Sequence, residues 1–453
     1  MTAASAPARP ASVRGLARGL LYGSSFQRAI ELCEQTQWWS SGDLEALQWR
    51  QVEALLAEVY RRNPYYRRRL TAAGWPPGGR GWLSRVPALT KLEAVAHASE
   101  VAAGASRPAA RTSGGSGGTP LPVLVDRATY PWYVVGFYRG LRWWGADFFD
   151  RAAVLLGRSR HSILWSAVAR VKDWATGWLR VAVEGDFDAR VGRVAAAVAR
   201  YRPAFVYGYP SAVYRVARWL ETASDCPPPR PRVVVTTGEP LFDFQRAAIE
   251  RVFGCPVVEE YGCGELGSMG FQCPSGCLHV TAEAVLLEAP PAAAGPGPVV
   301  VTHLRNVRFP LIRYALGDLG TVDTEACPCG RGLPVFRFAG RSRECVRAPE
   351  GQVLALPRQR RFLSLLPEEA AGRVQVRVVA HDGDPGHSVP GAVDALVVAA
   401  ERDALTVVSV DEVREAARQA FGDWCHVAVA VVERLRRSPS GKLPHFTRWR
   451  VPG

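Results

Sequence analysis

The most C-terminal of the motifs that could carry chemistry contains a lysine. Only three of the 56 basic residues are lysines and the rest are arginines, which indicates a strong compositional pressure toward arginine. The segment Arg437–Lys442 has the sequence R-S-P-S-G-K, in which serine and glycine predict a tight turn. An ammonium is a compact point charge that can contact several oxygens at one centre, unlike a planar guanidinium. Lys442 is therefore a candidate catalytic residue, and an ordinary lysine in a polar loop is the alternative.

A second motif, residues 111–120, has the sequence R-T-S-G-G-S-G-G-T-P. Glycines between hydroxyl residues leave backbone N–H groups and Oγ atoms free to surround phosphate oxygens. The motif is neither a Walker loop, because no Gly-Lys-Ser/Thr follows, nor a G-x-G-x-x-G fingerprint. A flexible linker would have a similar composition. However, the loop is followed directly by an apparent strand at Pro120–Val125, rather than by low-complexity sequence as in a flexible linker.

Two further motifs follow predicted strands. T-T-G-E-P (Thr236–Pro240) comes directly after Val233–Val235, and E-Y-G-C-G-E (Glu260–Glu265) follows a short apolar run. Open α/β sheets bind ligands at the carboxyl ends of parallel strands. In the second motif an aromatic ring could stack on a base, and a carboxylate could hold Mg²⁺. A plain strand-to-helix turn with a capping glutamate is the alternative for either motif.

The remaining nucleotide motif is G-D-L-G at Gly317–Gly320, where a carboxylate between glycines is suited to binding a ribose diol. Arg341 lies in the Gly-Arg pair that follows this motif, and Lys442 is the last residue of the series of motifs. Along the chain the motifs then supply a phosphate loop, a base-stacking turn, a ribose aspartate, a hinge and a lysine.

In this order and spacing, the motifs resemble the adenylate-forming superfamily. The likeness is to the phenylacetate–CoA ligase branch, with its capsule-biosynthesis and deazaflavin-adenylating relatives, and it extends from about Asn63 to Lys442. The resemblance implies a large N-terminal domain (residues 1–340) that binds ATP and the acid, and a small mobile α+β domain (341–453). The implied reaction joins a carboxylate to AMP, releases pyrophosphate and usually passes the acyl group to CoA.

The resemblance also implies a role for each motif. It assigns the triphosphate to Ser113, Gly114, Gly115, Ser116, Gly117, Gly118 and Thr119, and adenine to Gly238, Glu239, Pro240, Tyr261 and Gly262. Magnesium falls to Glu265, the ribose to Asp318 and Arg341, and the bridge between carboxylate and α-phosphate to Lys442. The acyl-pocket segment corresponds to Tyr207, Tyr209 and Ser211, whose aromatic rings suit a flat substrate, although packing in the core is an alternative for each.

Three positions depart from the family pattern. Gly117 stands where a threonine is usual, Thr119 where many members have lysine, and Gly264 where a hydroxyl or basic residue is common. Fewer side-chain phosphate contacts remain, which leaves open slow turnover, an unusual acceptor or a partly degenerate enzyme.

A separate group of residues could bind a metal ion. The sequences C-P-S-G-C-L-H (Cys273–His279) and C-P-C-G (Cys327–Gly330) supply thiolates and an imidazole, the ligands of a closed tetrahedral zinc site. The resemblance points to Cys273, His279, Cys327 and Cys329, with Cys277 as an alternate ligand. Free buried thiols with an unliganded His279 are the other interpretation.

Composition limits the class of protein. A length of 453 residues suggests two or more domains, and 48% hydrophobic with 22% charged residues is typical of a globular protein. No apolar run of about 18 residues occurs and the N-terminus lacks an apolar signal core, so we expect a cytoplasmic protein and no membrane partner. The net charge of +14 comes from scattered arginines, which suits a nucleotide better than nucleic acid. A homodimer is an expectation that the sequence leaves open.

The elements that must position these motifs alternate between strands and helices. Apolar runs at 153–156, 205–207, 233–235 and 257–258 predict strands, and helical patterns at 190–201 and 242–253 lie between some of them, which indicates an α/β fold. After a break at residues 340–344, strands at 374–380, 395–398 and 427–432 and a helix at 410–421 predict a small α+β unit.

The leading functional interpretation is ATP-dependent adenylation of an aromatic carboxylic acid followed by transfer to CoA. The alternative within enzymes is transfer of the acyl group to an amine or hydroxyl, giving an amide or ester in a biosynthetic pathway. A non-catalytic nucleotide-binding or scaffold protein is the third interpretation, which the departures in the phosphate loop permit.

Overall fold

A computed structural model gives the arrangement of the chain. It describes residues 13–76, 79–102, 110–112, 120–157, 163–290, 295–323, 325–344, 346–347, 353–354, 356–379, 395–424, 426–435, 437–438, 441–443 and 445–449. Within these residues, no helix combines the length and apolar character needed to cross a bilayer.

Five α-helices precede the first strand; helices and strands then alternate to about residue 260, after which strands dominate as far as residue 341. The α-helices are Val13–Thr36 (α1), Ser41–Arg62 (α2), Pro64–Ala72 (α3), Lys91–Ala96 (α4), Ala98–Val101 (α5), Tyr130–Trp143 (α6), Ile163–Thr176 (α7), Val191–Tyr201 (α8), Pro210–Thr222 (α9), Asp243–Phe253 (α10), Leu356–Ser364 (α11), Glu368–Ala371 (α12) and Val410–Phe421 (α13). The strands are Ala110–Thr112 (β1), Pro122–Leu124 (β2), Ala152–Leu156 (β3), Trp178–Ala182 (β4), Phe205–Gly208 (β5), Val233–Thr237 (β6), Val257–Cys263 (β7), Gly267–Gln272 (β8), Leu278–Val280 (β9), Val285–Glu288 (β10), Gly297–His303 (β11), Tyr314–Asp323 (β12), Val335–Arg341 (β13), Val346–Arg347 (β14), Val353–Leu354 (β15), Val374–Val379 (β16), Ala395–Glu401 (β17), Val427–Val432 (β18) and Phe446–Trp449 (β19).

The large sheet has eleven strands in the order β10-β11-β12-β13-β9-β8-β7-β6-β5-β3-β4. Strands β4, β3, β5, β6 and β7 are parallel, and the pairs from β7 to β10 are antiparallel. The predicted α/β fold is therefore confirmed. The antiparallel half was not predicted from the sequence.

Alternating side chains of the parallel strands pack against helices on both faces of the sheet. On β6, Val234 packs with residues of α8, α9 and α10, whereas Val233 and Val235 pack with residues of α1 and α6. A parallel sheet covered on both sides buries every residue of its central strands, which explains why β6 is a continuous apolar run. Because the strands are parallel, their carboxyl ends meet at one edge of the sheet.

The C-terminal unit is a four-stranded sheet in the order β18-β17-β16-β19. It has its own apolar core, to which α11 and α13 contribute. Strand β19 follows Lys442 and pairs parallel with β16, a pairing that was not predicted. The lysine segment is therefore anchored on both sides, by β18 before it and by β19 after it. The division of the chain at residues 340 and 341 stays a prediction.

Candidate active site

Lys442 of the C-terminal unit reaches the carboxyl end of β6 in the large sheet. A Cβ atom added to Gly238 would lie 3.2 Å from the Lys442 Nζ and 2.9 Å from the Tyr209 ring. Gly238 also has a φ of +75°, so only glycine gives the lysine this approach without strain. The lysine and the Gly-Glu-Pro turn, which lie about 200 residues apart in sequence, are thus brought together.

The ammonium of Lys442 lies among charged groups of the large domain. Its Nζ is 5.3 Å from the centre of the Tyr209 ring. Burial is the main cause that lowers its pKa, Arg341 lowers it further, and Glu239, Glu344 and Asp318 oppose the shift. The loop itself is fixed, because the Lys442 N–H donates to the Ser438 hydroxyl at 3.1 Å.

Asp318 forms a second polar centre at this edge of the sheet. Its carboxylate accepts a 2.7 Å hydrogen bond from the Tyr261 hydroxyl and lies 3.3 Å from the Arg341 Nε. Asp318 and Arg341 face each other in the β12–β13 pairing, which fixes their separation. Asp318 is only 7% exposed, and burial raises its pKa. The structure thus brings together three residues that the sequence motifs assigned to the nucleotide.

Glu344, just after Arg341, is a charged neighbour that sequence reasoning did not select. Burial raises the pKa of Glu344 to about 7, while Arg341 opposes that shift. The group therefore titrates close to neutral pH, within the field of Lys442 and Asp318.

Glu265 is paired with a lysine that sequence reasoning also missed. The Lys91 Nζ, at the start of α4, lies 3.3 Å from the Glu265 carboxylate, which is 7% exposed. The scarcity of lysine that singled out Lys442 applies equally to Lys91, so the signal was present in the composition.

The Glu239 carboxylate connects the two parts of the chain. It accepts hydrogen bonds from the Ser211 N–H and hydroxyl, both at 3.1 Å, and from the Leu443 N–H at 2.6 Å. Ser211 lies in the first turn of α9, so the carboxylate also caps that helix. The side chain of Glu239 is thus occupied by the lysine loop, which leaves the backbone of Gly238–Pro240 to form the turn.

The predicted phosphate loop, Ser113–Thr119, lies outside the described residues. The strands on either side of it are paired antiparallel, with Thr112 opposite Pro122. Thr112 and Pro122, on the two strands that flank the loop, are therefore held next to each other.

The sequence and the structure of the chain were compared with those of known proteins. No protein-family model matches the chain. Phenylacetate-coenzyme A ligase of Thermus thermophilus is 27% identical over 310 residues, covering 64% of this chain and 68% of the ligase. Protein CapK of Staphylococcus aureus is 23% identical over 154 residues, which span 33% of this chain and only 34% of CapK. The crystal structure of 2-hydroxyisobutyryl-CoA ligase in the postadenylation state superposes with a TM-score of 0.70 and 18% identity, covering 88% of each chain.

The chain is similar in sequence to a phenylacetate–CoA ligase and shares the fold of 2-hydroxyisobutyryl-CoA ligase. The resemblance identified from the sequence motifs is thereby confirmed. The residues assigned to substrate lie on β5 or just after it, and Ser211 is in the first turn of α9. Tyr207 is on β5 and Tyr209 follows that strand. The role of each of these residues stays a prediction.

Four side chains of types that bind metal ions converge near the β8–β9 turn. The ligand atoms of Cys273, His279, Cys327 and Cys329 all lie within 4.8 Å of one another. They come from the β8–β9 turn, from β9 and from the loop before β13. The His279 Nε2 is 3.2 Å from the Cys329 Sγ, and the Cys273 and Cys327 sulfurs are 3.8 Å apart.

The surroundings of His279 suit a metal ligand. Its Nδ1–H donates to the Leu333 carbonyl at 2.9 Å, which leaves the Nε2 lone pair directed at the thiols. Burial lowers the pKa of His279 to about 4, so that the ring is neutral at physiological pH. Three sulfurs and one neutral imidazole nitrogen are a donor set that Zn²⁺ prefers. Cys277 is half-buried beside Cys327 as a fourth thiol.

Proposed function

We propose that this chain activates a small carboxylic acid with ATP and transfers the acyl group to CoA. The approach of Lys442 to the end of β6, next to the Asp318–Arg341 pair, is the observation that supports it best. The ligase relative and the adenylate-forming fold support the same reaction class. The aromatic ring of Tyr209, 5.3 Å from the Lys442 Nζ, favours a flat, aromatic acid.

In the first step, a carboxylate oxygen attacks the α-phosphorus of ATP and the bond to the β-phosphate breaks, releasing pyrophosphate. Lys442 would contact the carboxylate and α-phosphate oxygens, where negative charge accumulates, in a site whose burial strengthens that contact. Asp318 and Arg341 would hold the ribose, with the Tyr261 ring and Gly238–Pro240 around adenine. The carboxylate of Glu265 would hold Mg²⁺, which balances phosphate charge when it is bound.

In the second step, the CoA thiol loses its proton and its sulfur attacks the acyl carbonyl, so that AMP leaves and a thioester forms. An exchange assay with radiolabelled pyrophosphate and a panel of aromatic acids tests the first step. Product analysis with and without CoA tests the second step. Acid-dependent exchange with thioester formed only when CoA is present is expected. Absence of exchange with every acid contradicts the proposal, and exchange without thioester would indicate an amine or hydroxyl acceptor.

Replacing Asp318 with alanine is expected to raise the KM for ATP about 10- to 100-fold, because a hydrogen bond to a charged group contributes about 1.5–3 kcal/mol. A ribose contact is made in the ground state and the transition state alike, so KM changes more than kcat. Steady-state kinetics with ATP and with its 2′- and 3′-deoxy forms checks this. The wild type should discriminate against at least one deoxy form, and Asp318→Ala should not. An unchanged KM for ATP removes Asp318 from the site.

We also propose that Cys273, His279, Cys327 and Cys329 bind one structural Zn²⁺ per chain. The four side chains fill a tetrahedral set, which leaves no position for substrate. The metal would join the β8–β9 turn to the loop before β13, segments that are distant in sequence.

Metal analysis of protein purified without chelators is expected to give one zinc per chain. Since zinc binding contributes to the free energy of folding, Cys329→Ala should lower the melting temperature by about 5 °C or more. Cys255→Ala, at a half-buried thiol outside the cluster, is the matched control and should retain zinc. Protein without zinc, together with a Cys329→Ala variant as stable as the wild type, would exclude the site.

A further inference from the structure

Two arginines of the C-terminal unit reach the segment between β4 and α8 of the large domain. Arg434 lies 3.1 Å from Asp186, and Arg437 lies 3.6 Å from Asp188. The side chains of the first pair are 67% and 56% exposed, whereas those of the second pair are 11% and 35% exposed. Water and salt screen a partly buried pair less than an exposed one. The pair of Arg437 with Asp188 is therefore the one of the two that is able to fix a position.

Arg437 also contacts the Lys442 loop, which the structure describes at residues 437–438 and 441–443. Its Nη1 donates to the Gly441 carbonyl at 3.2 Å and lies 3.5 Å from the Ser211 hydroxyl. Its Nη2 is the atom that faces Asp188. A planar guanidinium presents donors in several directions, so it can contact more than one acceptor. One side chain thus joins the residue before Lys442 to the large domain.

The backbone of Gly441 lies directly against the large domain. Gly441 has a φ of +84°, and a Cβ atom added to it would lie 2.6 Å from the carbonyl oxygen of Val183, just after β4. On the other side of Lys442, the loop is hydrogen-bonded to Glu239. The position of the lysine is therefore set from both sides, by Glu239 after it and by Gly441 and Arg437 before it.

Asp188 has a second cationic neighbour, which belongs to the large domain itself. The Arg215 Nε, on α9, lies 3.5 Å from the Asp188 Oδ1, the same oxygen that Arg437 faces. Burial lowers the pKa of Arg437, Asp188 is the main group that opposes the shift, and Arg215 lowers the pKa further. The carboxylate of Asp188 therefore stabilises the buried guanidinium of Arg437. The pair with Arg215 lies within the large domain and makes no contact between the two units.

We propose that Arg437 is a positioning residue for Lys442, which acts by joining Gly441 to Asp188 of the large domain. This inference rests on the proposed adenylation function and adds a residue to it. A displacement of about 1 Å in a reacting group can reduce a rate by about 100-fold. Without the pair, the Lys442 loop would keep its anchor on Glu239 and lose its anchor on Asp188, so the ammonium would no longer have one fixed approach.

The test replaces each member of the pair by a neutral side chain of similar size and measures both half-reactions. Arg437→Met and Asp188→Asn are each expected to lower kcat for acid-dependent pyrophosphate exchange by about 10- to 100-fold. The KM for ATP should stay within about threefold, and thioester formation from a supplied acyl adenylate should be unchanged. Because the two side chains act on each other, the double variant should be within about threefold of Arg437→Met. Losses that multiply in the double variant overturn the inference.

Arg215→Met is the matched control, because it removes the other cation from the same carboxylate and leaves the Lys442 loop intact. It should keep kcat within about threefold of wild type, as should Arg434→Ala, which breaks the exposed pair. A loss in Arg215→Met equal to that in Asp188→Asn would show that Asp188 acts within the large domain, and would overturn the inference. A lower melting temperature with both half-reactions slowed equally would show a purely structural role and overturn it too.

Arg437→Lys serves if the methionine variant does not fold, because it retains the charge and most of the aliphatic stem. A single ammonium cannot reach both Gly441 and Asp188 as the guanidinium does, so a loss of about threefold or more in kcat is expected. Wild-type kcat in this variant overturns the inference.

Hydrogen–deuterium exchange of the full chain without substrates separates this inference from the proposed function. The backbone N–H groups of residues 441–443 are hydrogen-bonded to Ser438 and to Glu239. Local opening of the loop exposes them, so their deuterium uptake reports how firmly the loop is docked.

Faster deuterium uptake by residues 441–443 in Arg437→Met and Asp188→Asn, but not in Arg215→Met, is the expected result. If wild type adenylates no acid, the proposed function fails, and deuterium uptake still decides whether Arg437 holds the loop. Equal uptake in wild type and Arg437→Met overturns the inference.

Discussion

Replacing Lys442 with alanine is expected to reduce acid-dependent ATP–pyrophosphate exchange by about 100- to 1,000-fold, the effect of removing one donor that stabilises transition-state charge. The KM for ATP should change little. Lys442 comes from the C-terminal unit and lies against Gly238, whereas the candidate ribose contacts come from β12 and β13. Loss of the ammonium therefore removes an interaction with the reacting oxygens and leaves the ribose contacts in place.

Lys442→Arg is the matched variant, because it keeps the charge and changes its shape. The planar guanidinium cannot place one charged atom between two oxygens at the space that Gly238 leaves, so at least a tenfold loss is expected, roughly 1.4 kcal/mol. Thioester formation from a supplied acyl adenylate should be retained in both variants. Parallel loss of ATP affinity and turnover, or exchange near the wild-type rate, would remove Lys442 from the first step.

Local sequence predicted the elements whose pattern is strong over several residues. The helix predicted at 410–421 is found as α13, where Ser409 and Glu412 form a capping box and an apolar face packs on the small sheet. The continuous apolar run of β6 predicted a buried parallel strand, which the pairing with β5 and β7 confirms. In both cases the spacing of apolar residues and the residues that bound the element agree with the way the element packs in the fold.

The antiparallel half of the large sheet and β19 could not be predicted in the same way. Strand β8 has the sequence G-S-M-G-F-Q, whose glycines have low strand propensity, and it is a strand because β7 and β9 flank it. Strand β19 has only four residues and is set by its pairing with β16. Partners distant in sequence determine these elements, and a single sequence does not reveal the pairing.

In the candidate site, too, some residues were predicted from sequence motifs and others depend on contacts between distant parts of the chain. The order of the motifs predicted that Lys442, Asp318 and Arg341 would share a site, and the structure places them in one electrostatic environment. The pairing of Lys91 with Glu265 depends on how α4 packs, and no local pattern encodes it. Arg437 was included only as the first residue of the lysine motif. Its partner in the large domain is fixed by how the two units pack.

The contact between the two units depends on Glu239 more than on any surface ion pair. Its carboxylate accepts hydrogen bonds from Ser211 and from the N–H of Leu443, the residue next to Lys442. Other contacts between the units are more exposed, among them the pairs of Arg434 with Asp186 at 3.1 Å and of Arg251 with Glu368 at 3.2 Å. Exposed ion pairs contribute about 0–1 kcal/mol, so they do not hold the lysine at a defined position.

Replacing Glu239 with alanine is therefore expected to lower kcat for pyrophosphate exchange by roughly 10- to 100-fold, because a buried N–H left without its acceptor costs about 1–3 kcal/mol. The KM for ATP should stay within about threefold, since the carboxylate contacts the Lys442 loop and only the backbone of the turn would face the proposed nucleotide. Arg434→Ala is the control, and its effect should be under about threefold. Thioester formation from a supplied acyl adenylate should be unchanged in both variants. A raised KM for ATP with normal kcat would instead assign Glu239 to adenine binding, and equal effects of the two substitutions would exclude a special role for the buried carboxylate.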